Sequence, residues 1–75
     1  MKIKLKIIGS LIYEAGFSEK DLELEKPITA GQLLSRIRIG ENRPKIMTRN
    51  GKAISPKEEL KDGDRIAICP IYSGG

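Results

Sequence analysis

The chain begins with an unbroken alternation. Ile3, Leu5 and Ile7 are apolar, while Lys2, Lys4 and Lys6 are cationic. A two-residue period sends successive side chains to opposite faces of a sheet, so residues 2–8 predict a half-buried strand with its lysines in water. Residues 9–20 lose that pattern, and Gly9, Ser10 and Gly16 predict a polar loop or a short irregular helix. Alternation returns at Asp21-Leu22-Glu23-Leu24-Glu25, a second strand with Leu22 and Leu24 inward, stopped by Pro27.

The period then changes. Thr29-Ala30-Gly31-Gln32 has the form of a capping box, in which a threonine hydroxyl and a glutamine side chain satisfy each other's backbone N–H groups. Behind it Ala30, Leu33, Leu34 and Ile37 make one apolar stripe at helical spacing, predicting a helix over about 30–38 that ends near Gly40. Asn50-Gly51 lies between Lys45–Arg49 and Lys52–Ile54, and that dipeptide between short apolar stretches signals a two-residue hairpin turn. Ser55-Pro56-Lys57-Glu58 resembles a second capping box with proline at the first helical position, predicting one helical turn that points Leu60 inward. Lys61-Asp62-Gly63-Asp64 is a further turn. Arg65–Cys69 is the last strand, with Ile66 and Ile68 on the core side.

Two strands, one crossing helix and further strands around a single core predict a small α+β fold. If the two terminal strands pair in parallel at the sheet centre, the arrangement is a β-grasp: a mixed four- to five-stranded sheet packed on one helix. Residues 1–75 then form one domain, with 70–75 as an extended tail.

Composition narrows the function. With 75 residues, a single core buries about 60% of the unfolded surface. There is one cysteine, Cys69, and no histidine, so an internal disulfide, a Cys/His zinc site, and Ser-His-Asp or Cys-His catalysis are all excluded. No metal site is expected. The net charge of +4 would permit nucleic-acid binding, but Tyr13, Phe17 and Tyr72 are the only aromatics and make no stacking platform. A solvated basic surface is the simpler reading. Apolar runs are as short as Ile7-Ile8, which predicts neither a membrane span nor a signal peptide and suggests a cytoplasmic location.

The final eight residues, Ile-Cys-Pro-Ile-Tyr-Ser-Gly-Gly, do not continue the strand pattern. Pro70 fixes its φ and has no N–H, so it is expected to take the chain off the sheet into an arm. Ile71 and Tyr72 would be exposed in such an arm and are candidate partner contacts. Cys69, out of phase with Ile66 and Ile68, reads as a small packing residue or half-exposed thiol rather than a sulfur relay.

The stretch from Leu60 to Gly75 (LKDGDRIAICPIYSGG) resembles the C-terminal part of the MoaD/ThiS group of ubiquitin-like β-grasp sulfur carriers. TRNGKAI (48–54) is similar to that family's hairpin, and ITAGQLLSRI (28–37) to its helix start. The resemblance implies a sulfur carrier that is not catalytic alone and binds no cofactor. An E1-like (MoeB/ThiF-like) enzyme would use ATP to adenylate the Gly75 carboxylate, and a sulfur donor would convert the adenylate to a thiocarboxylate. Pro70, Ile71, Tyr72, Ser73 and Gly74 would be the tail that partners grip. Glycines 74 and 75, lacking Cβ, suit a narrow nucleotide pocket.

Residues 8–16 (IGSLIYEAG) resemble the segment after the first strand of molybdopterin-synthase small subunits, which favours that branch and a synthase large subunit as partner. The alternatives are a carrier for thiamine thiazole synthesis serving a thiazole synthase, a ubiquitin-like protein modifier, or an interaction module that is never activated.

Overall fold

The computed structural model describes residues 1–40 and 42–71. The N-terminal alternation becomes strand β1 (Lys2–Ile7), in which every second residue is buried. It is followed by α1 (Leu11–Ala15), β2 (Glu19–Glu23), α2 (Ala30–Ser35), β3 (Lys45–Arg49), β4 (Lys52–Ala53) and β5 (Arg65–Pro70). The strands form one mixed sheet in the order β2-β1-β5-β3-β4. β1 and β5 pair in parallel at its centre, with Leu5 beside Ile66 and Ile7 beside Ile68. The other pairs are antiparallel. This is the β-grasp expected from the element order.

One face of the sheet is the core. Ile3, Leu5, Ile7, Met47, Ile66 and Ile68 pack there against Leu11, Ala30 and Leu33, all buried. Leu33 and Leu60 are almost wholly withdrawn from solvent, and burying such a side chain contributes about 1.5–3 kcal/mol. The opposite face stays open: Lys2, Lys4, Lys6 and Arg65 are exposed.

Local signals translate directly. The Thr29 N–H donates to Gln32 Oε1 at 2.8 Å, and the Gln32 N–H donates to Thr29 Oγ1 at 3.1 Å, closing the capping box. Asn50 and Gly51 both have positive φ, 52° and 88°, as the two-residue hairpin turn requires. Among the described residues no helix is long and apolar enough to cross a membrane.

Several boundaries differ from expectation. Two short helices pack with the sheet instead of one; α1 occupies the segment expected to be a loop or irregular helix. The second strand is Glu19–Glu23, not 21–25, because Ile7 donates its N–H to Ser18 and pairing with β1 starts there; Leu24 is buried just beyond the strand end. α2 stops at Ser35, three residues early. The Ser35 hydroxyl donates to the Gln32 carbonyl, and the following N–H groups reach back only three residues, which tightens the last turn and tucks Ile39 into the core.

The second capping box yields a turn, not a helix. Glu58 does reach back to the Ser55 N–H (2.9 Å), but the Ser55 hydroxyl accepts from Lys57. Glu58 donates its N–H to the Ser55 carbonyl, closing the turn, and backbone bonds from Ala30 to Glu58, Gly31 to Pro56 and Leu60 to Ile28 fasten it to the start of α2. Leu60 points inward as expected.

Candidate functional site

Because β1 and β5 are parallel, their C-terminal ends emerge at the same pole of the molecule. The candidate tail leaves from there. Tyr72, Ser73, Gly74 and Gly75, expected to be its working part, lie outside the described residues. Pro70 and Ile71 are described, and they show how the tail is launched.

Pro70 does not release the chain; it is the last residue of β5 and sits opposite Lys45 of β3. The correction has a simple cause. Backbone groups alternate sides along a strand, and the Ile68 carbonyl points toward β1, where it accepts from the Ile8 N–H at 2.9 Å. The N–H that Pro70 lacks would point the same way, but β1 has already ended at Ile7. No ladder bond is lost, which is the circumstance in which a strand tolerates proline. Ile71 then donates its N–H to the Pro44 carbonyl at 3.2 Å. Bonding to the neighbouring strand's lead-in segment therefore runs through Ile71, one residue beyond the proline.

The ground around this exit is apolar and open. Ile71 is 52% exposed, Ile46 is 39% exposed and Tyr13 is 89% exposed; among the described residues these are the three exposed large hydrophobics, and all belong to this pole. Ile46 lies opposite Cys69 on the open face, so the half-buried thiol is a packing partner there, as its phase implies. Half-buried Ile8 follows the end of β1 and extends the same surface. Ile71 is exposed, as expected of a residue just past the last strand.

A polar brace supports the exit from behind. Arg43 forms an ion pair with Glu14 of α1 at 2.9 Å and donates to the Ser10 hydroxyl at 3.1 Å. Glu14 Oε1 also accepts from the Gly40 N–H at 3.3 Å. Lys45 Nζ donates to the carbonyls of Gly40 and Arg43, both at 3.0 Å. These bonds fasten the segment before β3 to α1, and this is the segment whose Pro44 carbonyl holds Ile71.

Sequence reasoning missed Ile46 and the Glu14–Arg43 brace. The first was readable: Ile46-Met47 is an adjacent apolar pair in a strand, so one of the two must face away from the core. The brace joins residues far apart in the chain and left no local signal.

Comparison with known proteins places this geometry. The model of the ThiS family matches residues 5–75. Among solved structures, SAMP1 from Haloferax volcanii superposes with a TM-score of 0.79 at 22% identity, covering 100% of both chains. A Pyrococcus furiosus protein assigned as molybdopterin converting factor subunit 1 gives 0.78 at 25% identity, covering 95% of this chain and 98% of that one. A Helicobacter pylori chain, from a complex of subunits 1 and 2 of molybdopterin-converting factor, gives 0.68 at 18% identity with 100% of both chains covered.

Proposed function

The chain belongs to the ThiS family, the ubiquitin-fold sulfur carriers, and from that premise we propose that Gly75 is its reactive residue and that it serves as the small subunit of a molybdopterin synthase. The observation that carries this reading is the family match running through the Gly-Gly end, on a fold that launches that end from an open apolar pole. The molybdopterin branch is favoured by the likeness to the Pyrococcus protein and by α1, which forms from the segment similar to that branch.

The chemistry is group transfer at one carboxylate. An oxygen of the Gly75 carboxylate attacks the α-phosphorus of ATP, forming a P–O bond and expelling pyrophosphate. A carboxylate is a poor acylating group, whereas this mixed anhydride has AMP as a good leaving group. A hydrosulfide-equivalent donor then adds to the carbonyl carbon, AMP departs with the C–O bond's electron pair, and the donor's proton passes to solvent. The product is a thiocarboxylate. Hydrolysis after sulfur delivery returns the carboxylate.

The chain's own contribution is presentation. Ordering a glycine-rich tail in a nucleotide pocket costs about 1–2 kcal/mol per residue, and contacts with the folded body must offset that cost. Ile46, Ile71 and the Cys69 strip form the surface on which an activating enzyme and then a synthase large subunit would dock. The H. pylori relative assembles with its subunit 2, which supports a partner of this kind.

Intact-mass measurement after incubation with ATP, an E1-like adenylating enzyme and a sulfide source tests the reading. Replacement of one oxygen by one sulfur is expected. Unchanged mass with MoeB-like and ThiF-like enzymes alike would refute it, and a mass gain through a lysine linkage would make the protein a modifier.

A further inference from the structure

The open face of the sheet is striped. At one edge β2 presents Glu19, Asp21 and Glu23, beside Lys6, Lys4 and Lys2 of β1. The next strand, β5, sets Arg65 beside Lys4 and Ala67 beside Lys6. Beyond it lie Thr48 and Ile46 of β3. Charge is thus sorted into an acidic edge, a basic centre and a neutral to apolar far side.

Cross-strand Asp21 and Glu19 offset part of the charge of Lys4 and Lys6, but Arg65 stands between Lys4 on one side and Asn50 on the other. Lys4 and Arg65 are adjacent like charges on neighbouring strands, an arrangement that destabilises a sheet. Neighbouring strands are about 5 Å apart and same-face residues about 7 Å apart, so the Lys4, Lys6 and Arg65 stems start within reach of one small anion. Among the described residues none of the three lies within ion-pair distance of a carboxylate, although Asp21 and Glu19 stand across from Lys4 and Lys6. Ala67 and Thr48, both short, leave the floor low. The result is an open concavity of about 640 Å³, lined by the three cations together with Glu19, Thr48 and Ala67.

We propose that Lys4, Lys6 and Arg65 form a receptor for carboxylate side chains on the partner protein that acts on the C-terminus. The proposal rests on the carrier reading for the identity of that partner. A protein that covers Ile46 and Ile71 and extends roughly 20 Å down the same face reaches Ala67 and Arg65 at the other end of β5. Its apolar residues meet the upper end of β5 and its carboxylates meet the lower end. The acidic β2 edge argues for discrete carboxylates over a nucleic acid, because Glu19, Asp21 and Glu23 would repel a continuous phosphate backbone. They also fix the orientation, since a partner shifted toward that edge would bring like charges together.

Two measurements decide it. In the first, the isotope-labelled protein is titrated at low salt with a hexaglutamate peptide and, separately, with a single-stranded oligonucleotide of equal charge, and amide signals are followed. Hexaglutamate shifts the signals around Lys4, Lys6, Arg65 and Ala67, and Lys4→Gln with Arg65→Gln abolishes the response without lowering the melting temperature. No shift at these positions, or a larger one with the oligonucleotide, overturns the proposal. In the second, association with the E1-like adenylating enzyme of the same organism is timed across ionic strengths. The double variant associates ~10-fold more slowly at low salt and loses the salt dependence of the wild type; equal rates overturn the proposal. If no such enzyme acts on the wild-type chain, the carrier reading fails, while the peptide titration still decides whether the receptor exists.

Discussion

The two poles of the molecule are built from the opposite ends of the same two strands, yet they are finished in contrary ways. Where β1 and β5 begin, the turns are tied by hydrogen bonds. Asp62 accepts from the Lys2 N–H at 2.6 Å, Gly63 donates to the Lys2 carbonyl at 2.8 Å, and buried Asp64 accepts from the Lys61 N–H at 2.8 Å. Arg49 approaches Asp64 at 3.7 Å and donates to Glu58 and to the Glu59 carbonyl, both at 3.0 Å. Where β1 and β5 end, three large apolar side chains face solvent. A small core has little stability to spare, so one pole closed by hydrogen bonds allows the other to remain open. The tied pole keeps the parallel strands in register, and the open pole is where a partner can add buried area.

That contrast can be broken most severely at the tail. Deleting Gly75 should abolish adenylation altogether while leaving the melting temperature unchanged, as read by pyrophosphate release beside thermal unfolding; a large drop in melting temperature would mean the tail is structural. The converse variant, Asp64→Ala, strands the Lys61 N–H and removes a buried acceptor, for a loss of about 1–3 kcal/mol. At about 4–8 °C per kcal/mol in a domain of this size, the fall is easily seen. Activation per folded molecule should not change. Asp64→Asn keeps an acceptor and should lose less.

Ile46→Thr sharpens the comparison from the open side. It should weaken binding to the activating enzyme about tenfold, roughly 1.4 kcal/mol, while shifting stability by about 0.5 kcal/mol or less. Titration calorimetry and a melt on the same sample would show whether the two effects separate. The smallest effect is expected for Arg43→Met. Its ion pair with Glu14 is partly exposed and contributes up to about 1 kcal/mol, so the melting point should fall by no more than about 8 °C. Because the brace fastens the segment whose Pro44 carbonyl holds Ile71, activation should slow by a few-fold with binding unchanged.

Much of the fold was legible because its determinants are local. The alternation from Lys2 to Ile7, the Thr29–Gln32 box and the Asn50-Gly51 turn each act within a few residues, and each formed as read. What went astray was decided by distant partners. Glu19 and Lys20 carry no strand pattern, yet β1 recruits them by backbone bonding. Ser55–Glu58 has the letters of a helix start, but the backbone of residues 28–31 takes its hydrogen bonds. Pro70 remains in β5 because β1 happens to end at Ile7, which no property of the proline could reveal. At the site, exposed Ile71 was readable from its place after the last strand. The Glu14–Arg43 brace was not, because it exists only once the fold has brought α1 to the segment before β3.

The claim at the centre is that the Gly75 carboxylate is the reactive group. Fragmentation mass spectrometry of the C-terminal peptide, after reaction with ATP, the adenylating enzyme and sulfide, tests it most directly. One sulfur is expected to have replaced one oxygen on Gly75 and nowhere else. Sulfur found on Cys69, with Gly75 unaltered, would contradict it.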